Sequence, residues 1–441
     1  MLFTKKYILR VAGPILVSLL MEHLIGMTDT AFLGRVGEIE LGASAIAGIY
    51  YLAIFMLGFG FSIGVQILIG RRNGEKNYAA IGPIFTQGLL FQLTLAALLF
   101  GMSHWVSPII LKSILQSEHI YEATLRYLDW RVYGFFFSFT AFMFRAFYVG
   151  IANTKTLTMN SIVMVGTNIL LNYILIFGKF GLPALGIAGA AIASSISEMV
   201  SLIFFIIYTR TKIDYKRYDL FHFSKLQPHL LKRILNISIW TMIQAFISIS
   251  TWFLFFIAIE HLGERSLAIT NVLRNVSSFF FIIVSAFATA ASSLVSNLMG
   301  AGQQEEVIPT CKAVSIVCYC FVLPLILLMA LFPQTIMRIY TDNRELIQTA
   351  VPPFYVMICV YLISVPANIM FNAVSGTGNT RISLWIELFA LVGYVSAVVY
   401  IVMILRANIA ICWTTEYVYL LFMGSLACWY MYSGKWKLNK I

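Results

Sequence analysis

Residues 41–69 read LGASAIAGIYYLAIFMLGFGFSIGVQILI, a run without a single charged side chain, closed by Arg71 and Arg72. About 20 helical residues cross the roughly 30 Å hydrocarbon layer of a bilayer, so this run is long enough to span it with residues to spare. In lipid only a helix or a closed barrel satisfies every backbone N–H and C=O. The run is continuously apolar rather than alternating, which excludes a barrel strand and leaves a transmembrane helix.

The same pattern recurs along the whole chain. Apolar spans lie near 11–33, 41–69, 81–104, 121–149, 157–178 and 183–208, and again near 231–259, 267–299, 309–332, 347–374, 382–405 and 409–432. Of 441 residues, 60% are hydrophobic and only 11% charged, too little charge to cover a soluble protein of this size. The expected fold class is therefore an all-α integral membrane protein with twelve transmembrane helices. Lys5, Lys6 and Arg10 precede the first span without a small-residue cleavage site, so it reads as a retained helix and not a signal peptide.

With both termini cytoplasmic, 19 of the 30 basic residues fall on the inner side and seven in outer loops. The positive-inside rule thus favours cytoplasmic termini for a multi-pass membrane protein. The net charge of +11 sits at helix ends, which suits anionic lipid and gives no reason to expect nucleic acid as a partner. The six cysteines fall in or at the ends of spans without metal-ligand spacing and read as packing residues.

The longest polar stretch, Thr209 to Arg233, carries seven basic residues and divides the chain almost evenly. A shift of 226 residues superposes Gly37-Glu38 on Gly263-Glu264, Leu41 on Leu267, Gly150 on Gly376, and Asn153-Thr154-Lys155 on Asn379-Thr380-Arg381. With a further two-residue adjustment, Gly74-Glu75 matches Gly302-Gln303. Two six-helix lobes are expected: an N-lobe over 1–208, a cytoplasmic linker over 209–230 and a C-lobe over 231–441. Six spans per half give both lobes the same orientation, so the expected relation is a pseudo-twofold axis along the membrane normal. This is the architecture of an alternating-access carrier.

Ionisable groups inside a membrane cost several kcal/mol and need a reason. The first span carries Pro14, Glu22, His23 and Asp29. Glu22 and Asp29 share a face, roughly 10 Å apart along the axis. Asp29 is a candidate proton or Na⁺ site, the alternative being a solvated or structurally bonded helix-end carboxylate. Glu22 is a candidate for coupling or substrate contact, or a buried structural acid. Pro14 should kink the helix. In the fifth span Asn168 and Asn172 lie one turn apart, and Ser194 sits in the small-residue run 186–197, which permits close helix approach. Arg145 and Glu198 could balance each other internally, while Glu387 and Glu416 read as interfacial or paired. Aromatic side chains (35 Phe, 22 Tyr and 8 Trp) could line an organic-cation path through cation–π contacts.

These residues resemble the multidrug and toxic compound extrusion (MATE) family. Pro14 followed by Asp29-Thr30-Ala-Phe-Leu-Gly34 is similar to its first-helix signature. Asn168 to Gly178 with the following Lys-Phe-Gly-Leu-Pro, and Gly189-Ala-Ala-Ile-Ala-Ser194, resemble its helices 5 and 6. The corner Gly70 to Asn77 and the Gly-x-x-Asn-Thr-[Lys/Arg] ends of spans 4 and 10 are also similar.

The resemblance implies a secondary active antiporter, working as a monomer, that exports small organic compounds by rocker-switch alternating access in exchange for H⁺ or Na⁺. The implied coupling residues are Asp29, Asn168, Asn172 and Ser194, with Asp29, Asn168 and Asn172 as ligands should the ion be Na⁺. No other cofactor or metal is implied. The family's C-lobe acids fall here on neutral Gln244 and Ser364, and Phe255 stands opposite Asp29, so coupling is expected through the N-lobe alone. Gln244 stays a candidate for coupling or substrate contact. Other readings are a lipid-linked oligosaccharide flippase of the same superfamily, a membrane-embedded transferase and a passive channel. The absence of GxxxxGK[ST] argues against ATP as driver.

Overall fold

The computed structural model describes residues 3–115, 117–222, 225–340 and 343–438. Among them every regular element is helical. The first half contains α1 (Lys5–Leu33), α2 (Glu38–Gly74), α3 (Ile81–Ile114), α4 (Glu118–Arg131), α5 (Gly134–Gly150), α6 (Lys155–Phe177) and α7 (Ile187–Lys212). The second contains α8 (Pro228–Glu260), α9 (Glu264–Gly300), α10 (Val307–Leu331), the short α11 (Pro333–Arg338), α12 (Arg344–Gly376), α13 (Thr380–Val398), the short α14 (Ile409–Cys412) and α15 (Thr415–Tyr432). Among the described residues eleven helical stretches are long and apolar enough to cross a membrane, and twelve if the bent pair α4–α5 is taken as one span.

The span read as continuous over 121–149 is thus broken. The chain bends by 48° between α4 and α5. At the break stands Gly134, where a Cβ would come within 2.3 Å of both Arg131 Nη1 and Glu198 Oε2. Only a glycine leaves room there for the ion pair described below. At Pro14 the helical assignment of α1 runs through without a break.

The 226-residue repeat reappears element by element. α2 and α9 are each 37 residues long and start and stop in the same repeat register. Backbone strain follows it too: Lys76 (φ 58°) matches Gly302 (φ 72°), and Ala152 (φ 55°) matches Gly378 (φ 90°). Gly74 therefore corresponds to Gly300, and the two-residue adjustment that paired it with Gly302 is wrong. The left-handed residue that ends each helix corner fixes the register, not the glycine letters. Close approach is conserved as well. A Cβ on Gly150 would meet Gln66 O at 3.0 Å, and one on Gly376 would meet Ser292 O at 2.6 Å, an equivalent pair.

The chain forms two compact units, Val17–Met242 and Met1–Leu16 with Ile243–Ile441. Both breaks fall inside helices, α1 and α8, at positions 226 residues apart. In the first unit the stretch after α7 is packed rather than loose. Gln87 Nε2 donates to Lys225 O (3.1 Å), Gln87 Oε1 accepts from Gln227 N (3.0 Å), and Leu220 is buried.

Lipid supplies no hydrophobic drive between helices, so close steric fit decides their pairing. α6 and α7 pair through the small residues of α7: a Cβ on Gly189 would stand 2.7 Å from the carbonyl carbon and oxygen of Leu175. That contact sets the height of Ser194 against α6.

Candidate functional site

Three helices of the first unit converge on Asp29 of α1. Its Oδ1 accepts from Asn172 Nδ2 at 2.5 Å and its Oδ2 from Ser194 Oγ at 3.3 Å. Asn172 Nδ2 also donates to Asn168 Oδ1 (3.0 Å), and Asn168 Nδ2 to Ser194 Oγ (3.2 Å). The four side chains close a ring. Asn168 and Asn172 are fully buried and Ser194 nearly so, while Asp29 is partly exposed. The helical spacing of Asn168 and Asn172 gives the amides one face, and the α6–α7 contact brings the serine across.

One acceptor in the ring is left over: Asn172 Oδ1 is buried without a partner. A buried carbonyl oxygen beside a carboxylate is unfavourable unless something positive or proton-bearing comes to it. The donor set is all oxygen, the chemistry of a hard cation or a proton. The four residues read from the sequence as a coupling set are thus neighbours, and the oxygens of Asp29, Asn168 and Asn172 could hold a Na⁺.

The other candidates lie apart from the ring. Glu22 Oε1 accepts from Ser18 Oγ (3.2 Å) and from Arg145 Nη1 (3.3 Å), and Ser18 Oγ lies 2.7 Å from Ser161 Oγ. Gln244 belongs to the second unit, where its Oε1 is buried and unpartnered. Ser364 accepts from Asn368 Nδ2 on its own helix at 3.0 Å. Pro14 lies in the part of α1 that groups with the second unit.

One reading needs correction. Arg145 balances Glu22, not Glu198. The partner of Glu198 is Arg131, through two parallel bonds of 2.9 and 2.6 Å. This fork lies against Tyr51, whose ring centroid is 3.7 Å from the guanidinium carbon. No motif announces a pair 67 positions apart; a bend-point glycine beside an arginine was the available signal. Glu387 and Glu416, read as interfacial or paired, each have hydroxyl partners. Glu387 is 1% exposed and accepts from Ser248 Oγ (2.5 Å) and Tyr419 Oη (2.9 Å), while Glu416 accepts from Tyr394 Oη (3.0 Å). Among the described residues no three His, Cys, Asp or Glu side chains form a metal-holding group.

Comparison with known proteins agrees with this picture. The MatE family model matches residues 14–174 and again 241–401, one match in each half of the repeat. A probable multidrug resistance protein NorM of Pasteurella multocida is 26% identical over 389 residues, covering 87% of this chain and 83% of the relative. The probable multidrug resistance protein NorM of Thermotoga maritima is 24% identical over 451 residues, covering 99% and 94%. Among solved structures, an outward-facing multidrug resistance MATE family transporter of the MOP superfamily superposes with a TM-score of 0.89 at 17% identity, covering 98% of this chain and 96% of its own. A MOP superfamily transporter from Pyrococcus furiosus superposes with a TM-score of 0.87 at 18% identity, covering 98% and 95%. Matches of this extent leave no place for a membrane-embedded transferase: the chain belongs to the MatE family of multi-pass membrane transporters.

Proposed function

We propose that this protein is a secondary active antiporter of the bacterial inner membrane. It exports small organic compounds, cationic or amphipathic, in exchange for H⁺ or Na⁺ by alternating access, with the ion held at Asp29, Asn168, Asn172 and Ser194. The observation that carries this reading is the ring around Asp29. The carboxylate of α1 is held by donors from α6 and α7, and the same Asn172 whose Nδ2 bonds it keeps a buried, uncommitted carbonyl oxygen, Oδ1. Loading a proton or cation offsets the buried carboxylate charge and gives Asn172 Oδ1 a partner, and releasing it leaves that oxygen unsatisfied again, so occupancy can bias one conformation over another. Relatives called multidrug resistance proteins support organic substrates. The lysine and arginine distribution supports cytoplasmic termini.

The test is transport in liposomes. Purified protein is reconstituted and the movement of a fluorescent organic cation is followed under an imposed pH or Na⁺ gradient. One gradient drives the dye in the wild type, and Asp29→Asn at matched protein content abolishes that drive. Dye movement in Asp29→Asn equal to wild type removes the ring from the coupling step. If neither gradient moves the dye in the wild type, an organic-cation exporter is the wrong reading.

A further inference from the structure

The repeat that builds both units also exposes a chemical exchange between them. In the first unit an acid on the first helix, Glu22, sits near a serine of α6, Ser161, with Ser18 bonded to both. A shift of 226 residues turns Ser18 into Gln244, Glu22 into Ser248 and Ser161 into Glu387. Acid and serine have traded helices. They still meet: Ser248 Oγ donates to Glu387 Oε1 at 2.5 Å. The cation has not been kept, because Arg145, which balances Glu22 at 3.3 Å, becomes Phe371.

Glu387 is thereby a buried acid with hydroxyl donors and no ion-pair partner among the described residues. Oε1 takes both bonds, from Ser248 and Tyr419, and Oε2 is buried with no partner. Glu416 is hydrogen-bonded in turn by Tyr394, whose ring lies 5.8 Å from that of Tyr419. Ser248, Glu387, Tyr419, Tyr394 and Glu416 so form a string of acid and phenol groups. Glu387 and Tyr394 are seven residues apart on α13, which makes the string roughly 10 Å long along the helix. Phe255 flanks it, its ring 6.4 Å from that of Tyr394, and Trp413 packs on Phe255 at 5.8 Å.

The titratable groups around the two acids are few. Tyr419 and Glu416 come from α15, Tyr394 from α13 itself and Tyr361 from α12. α8 contributes Ser248 and, one turn earlier, Gln244, neither of which titrates. Arg274 of α9 lies over Phe256, 5.1 Å from its centroid, and forms no ion pair with either acid among the described residues.

A carboxylate taken out of water without a counter-charge is far costlier than its neutral acid. Something positive therefore accompanies Glu387, and the oxygen count decides what. A hard metal cation asks for a shell of several oxygens. Here the buried side-chain oxygens without a partner are Glu387 Oε2 and, a turn from Ser248 on α8, Gln244 Oε1. A proton asks for one.

We propose that Glu387 is a second, proton-specific site in the unit formed by Met1–Leu16 and Ile243–Ile441. The proton binds Oε2 while Ser248 and Tyr419 hold Oε1, and the Tyr419–Tyr394–Glu416 string continues from it. This rests on the antiport reading only for its use in transport; proton binding itself does not. It also departs from the expectation that coupling runs through the N-lobe alone.

The test is infrared difference spectroscopy on the full-length protein in liposomes, between about pH 4 and about pH 9, which brackets ordinary and strongly displaced carboxyl titration. The wild type should show a protonated carboxyl C=O band that shifts in D₂O. Glu387→Gln should remove one such band, whereas Asp29→Asn should leave that band in place. Tyr419→Phe, which keeps the ring and removes one donor to Oε1, should keep the band and move its frequency and its titration midpoint by about one pH unit. An unchanged band in Glu387→Gln overturns the site. So does loss of the Glu387 band on adding Na⁺ at fixed pH, which would make it a metal-ion site. Should wild-type dye transport fail while the Glu387 band persists, the exporter reading falls and this site stands.

Discussion

The fork between Arg131 and Glu198 gives the sharpest stability prediction. Its side chains are 11% and 13% exposed, bonded in parallel at 2.9 and 2.6 Å, with Tyr51 stacked on the guanidinium. Removing one partner of a buried pair leaves an uncompensated charge and costs about 3–5 kcal/mol, and the residual exposure here argues for the lower end. About 3 kcal/mol corresponds to roughly 6–12 °C in Tm for a cooperative unit of about 150–250 residues, the size class of Val17–Met242. Glu198→Ala and Arg131→Ala should each lower the thermal midpoint of the detergent-solubilised protein by that amount. The double variant Arg131→Met with Glu198→Leu should recover most of the loss, because apolar replacement of a whole buried pair is often neutral or stabilising. Gly134→Ala should mimic the single losses by forcing a methyl into the fork. Equal midpoints for wild type and the single variants, or losses that simply add in the double variant, would refute the idea that the two charges share one desolvated bridge.

Three further outcomes follow from local geometry. Glu22→Gln breaks a pair whose acid side chain is 41% exposed, so stability should change by no more than about 1 kcal/mol while the pH dependence of transport shifts; an unchanged pH profile returns Glu22 to a structural role. Gly189→Ala should cost about 1–3 kcal/mol by pressing on the Leu175 carbonyl, and should lower transport by displacing Ser194; a variant neutral in both melting and dye transport rules out the contact. Ala152→Gly should stabilise and Gly378→Ala destabilise, each by about 1 kcal/mol, since both positions are left-handed; melts in which the two changes share a sign would contradict this.

The two units are alike in backbone and unlike in chemistry. The repeat keeps helix lengths, left-handed corners and glycine contacts, while Asp29 becomes Phe255, Asn168 becomes Tyr394 and Arg145 becomes Phe371. Phe255 and Tyr394 touch in the second unit, so the position of the Asp29 ring survives there as an aromatic contact. Duplication fixes where side chains meet; substitution decides what passes between them.

The helical class was settled by the sequence, because hydrocarbon cannot hydrogen-bond and an uncharged run as long as residues 41–69 has no other stable form. The repeat and the set of Asp29, Asn168, Asn172 and Ser194 were readable too, the first from recurring glycines and the second from helical spacing together with a family signature. The bend at Gly134, the partner of each arginine and the burial of Glu387 were not. Each depends on which helix faces which, and in lipid that choice rests on steric fit between small residues and on hydrogen bonds across helices, terms that a one-dimensional pattern of hydropathy does not carry. Arg131 and Arg145 look alike in sequence, in apolar surroundings, and only the packing gives the first to Glu198 and the second to Glu22.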